Sequence, residues 1–254
     1  MSFTFNSINS DTMGLIVERY PSRPFPTRKA ESYPIVGRSG DLVVDQNAWS
    51  NVTQEYDVFV NGNFQQNAQA IAYWLLNASG YCTLTDSYDS ASTYRMARFI
   101  GGVSFLNALN KYGKATITFD CCPQRYPITA EELTGTANET YTFPIHANMM
   151  DGSPMINILT WVSNASGTIV DSNGMTITIP AQGSAINSIF VDYATHSVGT
   201  TDMTLNGRKK LTGVTVSGNA ANLWKPIGDG GTITLAASNA GNATVRINTR
   251  RWYL

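Results

Sequence analysis

The sequence predicts a mostly β chain with one main helix. Short segments alternate apolar and polar residues at a period of two, as half-buried strands require. Gly, Asn, Asp and Pro interrupt them at short intervals, as turns do. A single stretch, around Ile71, keeps helical spacing over several turns. With 254 residues the chain can bury the cores of two ordinary domains. The texture changes after Pro127, so the expected division is residues 1–130 and 131–254, with 248–254 packing back on the first domain.

Phe3 and Phe5 alternate with polar residues and predict an initial strand, with "NSINSD" as turn material. "GLIVERYPSRPFPTRKA" reads as a strand running into a loop that Pro21, Pro24 and Pro26 keep out of any sheet interior. Around "GRSGD", Gly37–Asp41, both flanks are rich in β-branched and aromatic residues, which predicts a hairpin able to lie on its own sheet or reach a neighbour. Asn63 with Gln66 forms a capping-box pattern for the helix. Phe64, Ala68, Ile71 and Leu75 share one helical face beside Trp74, and Gly80 suits a left-handed stop. Asp86, Ser87 and Asp89 are turn formers ahead of a strand through Tyr94, Met96 and Ala97. A turn at Gly113, a strand through Ile117 and Phe119 and a stop at Pro123 follow.

"TAEELTGTANETYTFPI" reads as a linker into a region of short strands. The candidates there are Met155–Val162, Met175–Ile179, Ser188–Asp192, Thr201–Leu205, Leu211–Val216, Thr232–Ala236 and Thr244–Asn248. Asn173-Gly174 and Asn206-Gly207 are two-residue hairpin signals, and the glycines of Gly228–Gly231 serve another turn. Short strands at near-regular spacing imply a β-sandwich.

Composition narrows the function classes. Hydrophobic residues make up 43% and charged residues 14%, and the formal net charge is -1. No strong field is aimed at nucleic acid or an anionic surface. The clusters Gly207–Lys210 and Arg250-Arg251 read as solvated strand ends or interface charges. The start has no secretory pattern and no apolar run approaches a membrane span, so the chain is expected to be made in a cytoplasm. Cys82, Cys121 and Cys122 are expected to be free thiols.

His146 and His196 lack partners at metal-ligand spacing, and no nucleophile elbow or phosphate loop occurs. Asp86 and Asp89 resemble a glycosidase pair only in being two carboxylates; between a helix and a strand they read as turn residues. The sequons at Asn51, Asn77, Asn138, Asn164 and Asn242 read as chance matches in an Asn-, Ser- and Thr-rich chain. Trp161, Trp224 and Trp252 suit core or interface positions, with a sugar-binding face as the alternative. No catalytic, cofactor-binding or metal-binding residue is assigned, no cofactor is expected, and the protein is expected not to be an enzyme.

Four stretches in order, "FTFNSINSDTMGLIV", "IVGRSGDLVVD", "IAYWLLNASGYCTLTDSYDSASTYRMARF" and "GKATITFDCCP", resemble the distal tail protein (Dit) family of long-tailed bacteriophages of Gram-positive hosts. Phe5, Asn6, Gly37, Arg38, Gly40, Trp74, Leu75, Asp86, Tyr88, Asp89, Tyr94, Phe119, Cys121 and Pro123 occupy the family's places. Cys122 takes the variable position of "F-x-C-x-P", and "DSYDSASTY" is slightly longer than the family turn. The likeness covers about residues 1–126 and leaves the second half without an aligned motif. It implies an N-terminal ring-forming β-sandwich and hairpin domain and a C-terminal galectin-like β-sandwich. It also implies a virion protein of the tail tip, a homo-oligomeric ring of six. Its partners would be the tail tube protein and tail-associated, tail-tip and receptor-binding proteins, with no sequence-specific nucleic-acid or membrane partner. The hairpin around Arg38 is then the expected clasp on the adjacent subunit, and the Trp74 helix belongs to the subunit's own core. The alternative is a carbohydrate-binding module for host wall glycans.

Overall fold

The computed structural model describes residues 1–61, 64–89, 92–101, 106–108, 112–146, 148–201, 208–239 and 243–253, with the backbone alone for 61, 64–66, 106–108, 112, 201 and 208–210. The chain forms two compact units, Met1–Ile128 and Thr129–Tyr253.

The first unit holds β1 (Phe3–Phe5), β2 (Ile8–Asn9), β3 (Leu15–Val17), β4 (Arg28–Tyr33), β5 (Leu42–Trp49), β6 (Val52–Asn61), α1 (Phe64–Asn77), β7 (Cys82–Asp86), β8 (Thr93–Phe99), β9 (Leu106–Ala108) and β10 (Tyr112–Pro127). An antiparallel sheet runs in the order β3-β6-β10-β8-β7-β1-β2, with β9 also on β10. The two residues between β1 and β2, Asn6 and Ser7, both have left-handed φ, 49° and 65°, as a tight primed hairpin requires. So part of the predicted turn material is strand. Gly113 and Pro123 also differ from expectation, because both lie inside β10. The β8–β10 register shifts between Cys121 and Arg125, and that irregularity accommodates a proline that cannot donate to a regular ladder.

Phe3 stacks on Tyr56 at 4.5 Å between centroids, and Phe5 meets Phe119 at 4.8 Å. Ile71, Trp74 and Leu75 of α1 join this buried cluster, and the Trp74 indole donates to Phe5 O at 3.2 Å. That bond satisfies the one polar atom of an otherwise apolar side chain. Gly80, at φ 70°, follows the helix in the expected left-handed conformation. The Asn63 cap and the side chains of Phe64 and Gln66 lie outside the described residues.

The second unit is a sandwich of two antiparallel sheets around one core. Its strands are β11 (Glu132–Thr136), β12 (Thr140–Thr142), β13 (Met149–Met150), β14 (Met155–Trp161), β15 (Ser166–Asp171), β16 (Thr176–Ile179), β17 (Ile186–Asp192), β18 (Ser197–Thr201), β19 (Arg208–Lys210), β20 (Thr215–Ser217), β21 (Thr232–Ser238), β22 (Thr244–Asn248) and β23 (Trp252–Tyr253). One sheet runs β11-β22-β14-β17-β18-β19 and the other β12-β21-β15-β16-β20, while β13 pairs with β23. Ile156, Ile158, Val191, Val245 and Ile247 of one sheet meet Ile169, Ile177, Ile233 and Leu235 of the other. The alternation that buries every second residue produces these faces.

The predicted linker is not a linker: β11 and β12 come from it and enter opposite sheets. Asn173-Gly174 turns as expected, with Gly174 at φ 83°; Asn206-Gly207 and Asn242 lie outside the described residues. Arg251 corrects the reading of solvated basic ends. It is 2% exposed, donates to Pro144 O at 2.6 Å and pairs with Asp229, which compensates the buried charge. Among the described residues no helix is long and apolar enough to cross a membrane.

Candidate assembly surface

The segment between β3 and β6 pairs with none of the three large sheets of the described residues. β4 and β5 pair only with each other, from Arg28 opposite Trp49 to Tyr33 opposite Leu42. Strand β4 therefore begins inside the segment read as loop, at Arg28. The loop at its far end carries Gly37 and Gly40 at φ 80° and 86°, with nothing within 4 Å of either position a Cβ would take. Arg38 N donates to Ile35 O at 3.2 Å and closes the turn. The Arg38 side chain is exposed at this tip.

No residue of β4 or β5 is buried. Tyr33, Leu42, Val43 and Val44 are 48%, 50%, 60% and 47% exposed, and Val36 is fully exposed. Polar contacts hold the two strands in register. Arg28 pairs with Asp45 and donates to Asn47 Oδ1 at 3.1 Å, and Gln46 donates to Glu31 at 2.8 Å. The Arg28 guanidinium lies 5.5 Å from the centre of the Trp49 ring. Where β4 and β5 fall out of register by a bulge, Asn47 takes φ 51° and its N–H donates to Asp45 Oδ1 at 2.8 Å. At the base, Ser50 N donates to Thr27 O at 2.9 Å. A two-stranded ribbon with no core is marginal by itself in water. Its contiguous exposed apolar side chains have the character of a contact surface.

The residues singled out in the sequence separate into three groups. Phe5, Trp74, Leu75, Phe119 and Cys121 meet in the buried core of the first unit. Burial raises the Cys121 thiol to about 12, so it is a packed apolar group in chemical terms. Gly37, Arg38 and Gly40 sit at the tip of the arm. Asp86, Tyr88 and Asp89 form a turn in contact with Arg23, ahead of β4: Tyr88 N donates to Asp86 Oδ1 at 3.1 Å and Thr93 N to Asp89 Oδ2 at 3.1 Å. Asp89 also pairs with Arg125 at 2.6 Å. Arg125 and Arg23 were not singled out in the sequence, because neither stands near the turn along the chain. Tyr94 packs beside Tyr126, with ring centroids 5.6 Å apart.

Trp161 is wholly buried and its indole donates to Ala165 O at 3.1 Å, so it presents no face to a ligand. Trp224 instead stacks on His196, with centroids 5.5 Å apart, at a cavity of ≈450 Å³ also lined by Phe190, Val198 and Leu211. His146 contacts Glu131 at 2.6 Å. Among the described residues no three His, Cys, Asp or Glu side chains stand close enough to share a metal ion.

The described chain is mostly β and has two units, a sheet-and-helix unit that carries a two-stranded arm and a sandwich unit after it in sequence. The chain superposes on the crystal structure of the Dit protein (gp19.1) of phage SPP1, described as a paradigm of the hub adsorption apparatus in phages that infect Gram-positive bacteria. The TM-score is 0.65 over 99% of this chain and 98% of that one, at 13% identity. The match shows the Dit fold. Two structures of the phage P2 baseplate in its activated conformation are more distant. The calcium form has 12% identity and TM-score 0.46, covering 92% of this chain and 90% of that one. The strontium form has 12% identity and TM-score 0.45, covering 97% of each. No protein-family model and no curated protein sequence matches the chain.

Proposed function

We propose that the protein is a structural subunit of a phage tail tip, a distal tail hub that closes into a ring of six through its arm. The ring joins the tail tube to tail-tip and receptor-binding proteins. Residues 1–130 supply the ring and residues 131–254 a peripheral sandwich. One observation carries this reading: β4 and β5 form an exposed apolar ribbon that none of the sheets in the described residues covers. An arm of this kind gains a covering surface when an identical neighbour receives it, and a closed ring satisfies every copy at once. The Dit fold supports the same reading.

The test is the solution mass of the full chain against a variant in which residues 29–48 are replaced by a short Gly-Ser link. Rings in the parent and folded monomers in the variant are the expected result. Rings in the shortened protein overturn the clasp. A sugar-binding role for the second unit now centres on Trp224 and its cavity, since Trp161 is closed to ligands. Calorimetry with host wall glycans, on the parent and on Trp224→Ala, decides that role.

A further inference from the structure

We infer that the acidic turn from Asp86 to Asp89 is a socket that fixes the root of the arm, residues 20–27, on the body of the first unit. This deepens the clasp reading by assigning residues that aim the arm without belonging to it. Three separate elements reach the root. Gln54 of β6 donates to Ser22 O at 3.1 Å. Arg95 of β8 donates to Pro24 O at 3.4 Å. Arg23 donates to Tyr88 O at 2.8 Å and lies 3.5 Å from Asp89. Asp89 is itself braced from β10 by Arg125, and its side chain is 8% exposed. Asp86 is braced from β6 by the Tyr56 hydroxyl, which donates at 3.2 Å.

These polar contacts, with one edge-on contact of the Tyr20 ring on Tyr88 at 5.2 Å, act in place of burial. Tyr20 and Phe25 of the root are 71% and 73% exposed, so apolar burial contributes little there. Pro21, Pro24 and Pro26 bar the root from a sheet ladder and stiffen it. A stiff segment pinned at Ser22, Arg23 and Pro24 leaves the body in one direction. An arm presented in one direction loses less freedom when a neighbour receives it.

Spin labels on Ser39→Cys at the tip and Ser79→Cys on the body read this direction as a distance distribution, in a Cys82→Ser, Cys122→Ser background. Labelled chains diluted in an excess of unlabelled chains report distances within one copy. The parent should give one narrow distribution. Arg23→Ala and Asp89→Asn should each broaden it at least twofold, with Arg23→Lys in between. Lys114→Ala, which removes the 2.5 Å ion pair to Glu18 outside the socket, should leave the width unchanged. Unfolding of each variant by urea shows that the body is intact, and Arg23, half exposed, is the variant least able to disturb it. Equal widths in parent, Arg23→Ala and Asp89→Asn overturn the socket, as does equal broadening by Lys114→Ala. Light scattering on the same samples separates the two readings. A monomeric parent whose distribution still responds to Arg23→Ala removes the ring and keeps the socket.

Discussion

The hairpins β15–β16 and β4–β5 share a turn device and differ in composition and surroundings. Both turn through glycines with left-handed φ, but β15 and β16 hold seven β-branched residues in ten, while β4 and β5 hold two, Val43 and Val44, in fourteen. β15 and β16 are flanked by β21 and β20, so Ile169, Ile177 and Ile179 reach the sandwich core with at most 1% exposure. Among the described residues β4 and β5 have no flanking strand, and none of their own residues is buried. The protruding ribbon thus pairs with less intrinsic strand propensity than the core hairpin. What also differs is whether the rest of the described chain supplies a partner.

Core substitutions should break this contrast most strongly. Ile177→Ala removes a side chain that is 0% exposed and should lower unfolding free energy by about 2–5 kcal/mol. Urea titration followed by tryptophan fluorescence measures it. A loss below about 1 kcal/mol would mean that the sandwich interior is loosely packed.

The turn joining β15 to β16 is next in size. Asp171 accepts from the N–H groups of Asn173 and Met175, at 2.9 and 3.0 Å, and from the buried Tyr193 hydroxyl at 3.1 Å. Burial, ahead of the nearby Asp171 charge, pushes the Tyr193 phenol well above its ordinary range, so it stays a donor. Asp171→Ala leaves those donors unpaired and should cost about 1–3 kcal/mol, read in the same titration. In the arm, Asp45 plays the analogous part for Asn47 N, at 2.8 Å, and also pairs with Arg28, with its side chain 40% exposed. Water replaces the first bond and an exposed ion pair contributes little, so Asp45→Ala should change unfolding by under about 0.5 kcal/mol.

A pH dependence should follow for the second unit. Burial alone would raise the Asp192 pKa, but Arg250 at 2.7 Å and the Ala194 N–H outweigh it and hold the carboxyl below its ordinary value. A depressed folded pKa contributes stability that is fully present above the unfolded pKa, about 4. That stability is lost as pH falls through the folded value. Parent stability should therefore decline as pH drops below about 4, and Asp192→Asn should flatten part of that decline, by about 1 kcal/mol. Parallel parent and variant curves between about pH 2 and 5 would refute the pairing.

Much of this architecture was legible in the sequence, and the misses have a common cause. Phe3, Phe5, Trp74 and Phe119 were readable because periodicity reports which face is buried. Gly37, Gly40, Gly80 and Gly174 were readable because left-handed backbone favours glycine. The segment Thr129–Ile145 misread as linker because its strands are short and enter different sheets, which local pattern does not encode. Pro123 misread as a stop because a bulge tolerates a proline that a regular ladder excludes. Arg251 looked solvated because its carboxylate partner Asp229 lies 22 residues back along the chain. Of the assembly surface, the GRSGD turn and the DSYD turn were both visible, but not that Arg23 joins one to the root of the other. Gln54 and Arg95 carry no local signal of that role either.

The smallest folding effect should accompany the largest assembly effect. Val43 is 60% exposed on a strand that, among the described residues, has no neighbour beyond β4. Val43→Thr keeps the β-branched shape and strand propensity and adds a hydroxyl that water already satisfies. Unfolding of the monomer should change by under about 0.5 kcal/mol. If a neighbouring copy covers this face, each copy of the ring must desolvate that hydroxyl at its contact, so a penalty of about 1–3 kcal/mol is repeated around the ring. The concentration at which rings dissociate, followed by light scattering, should rise at least tenfold. A variant whose rings persist to the parent's dilution would show that Val43 faces solvent in the assembly and that the opposite face of the ribbon, bearing Tyr33, Leu42 and Val44, makes the contact.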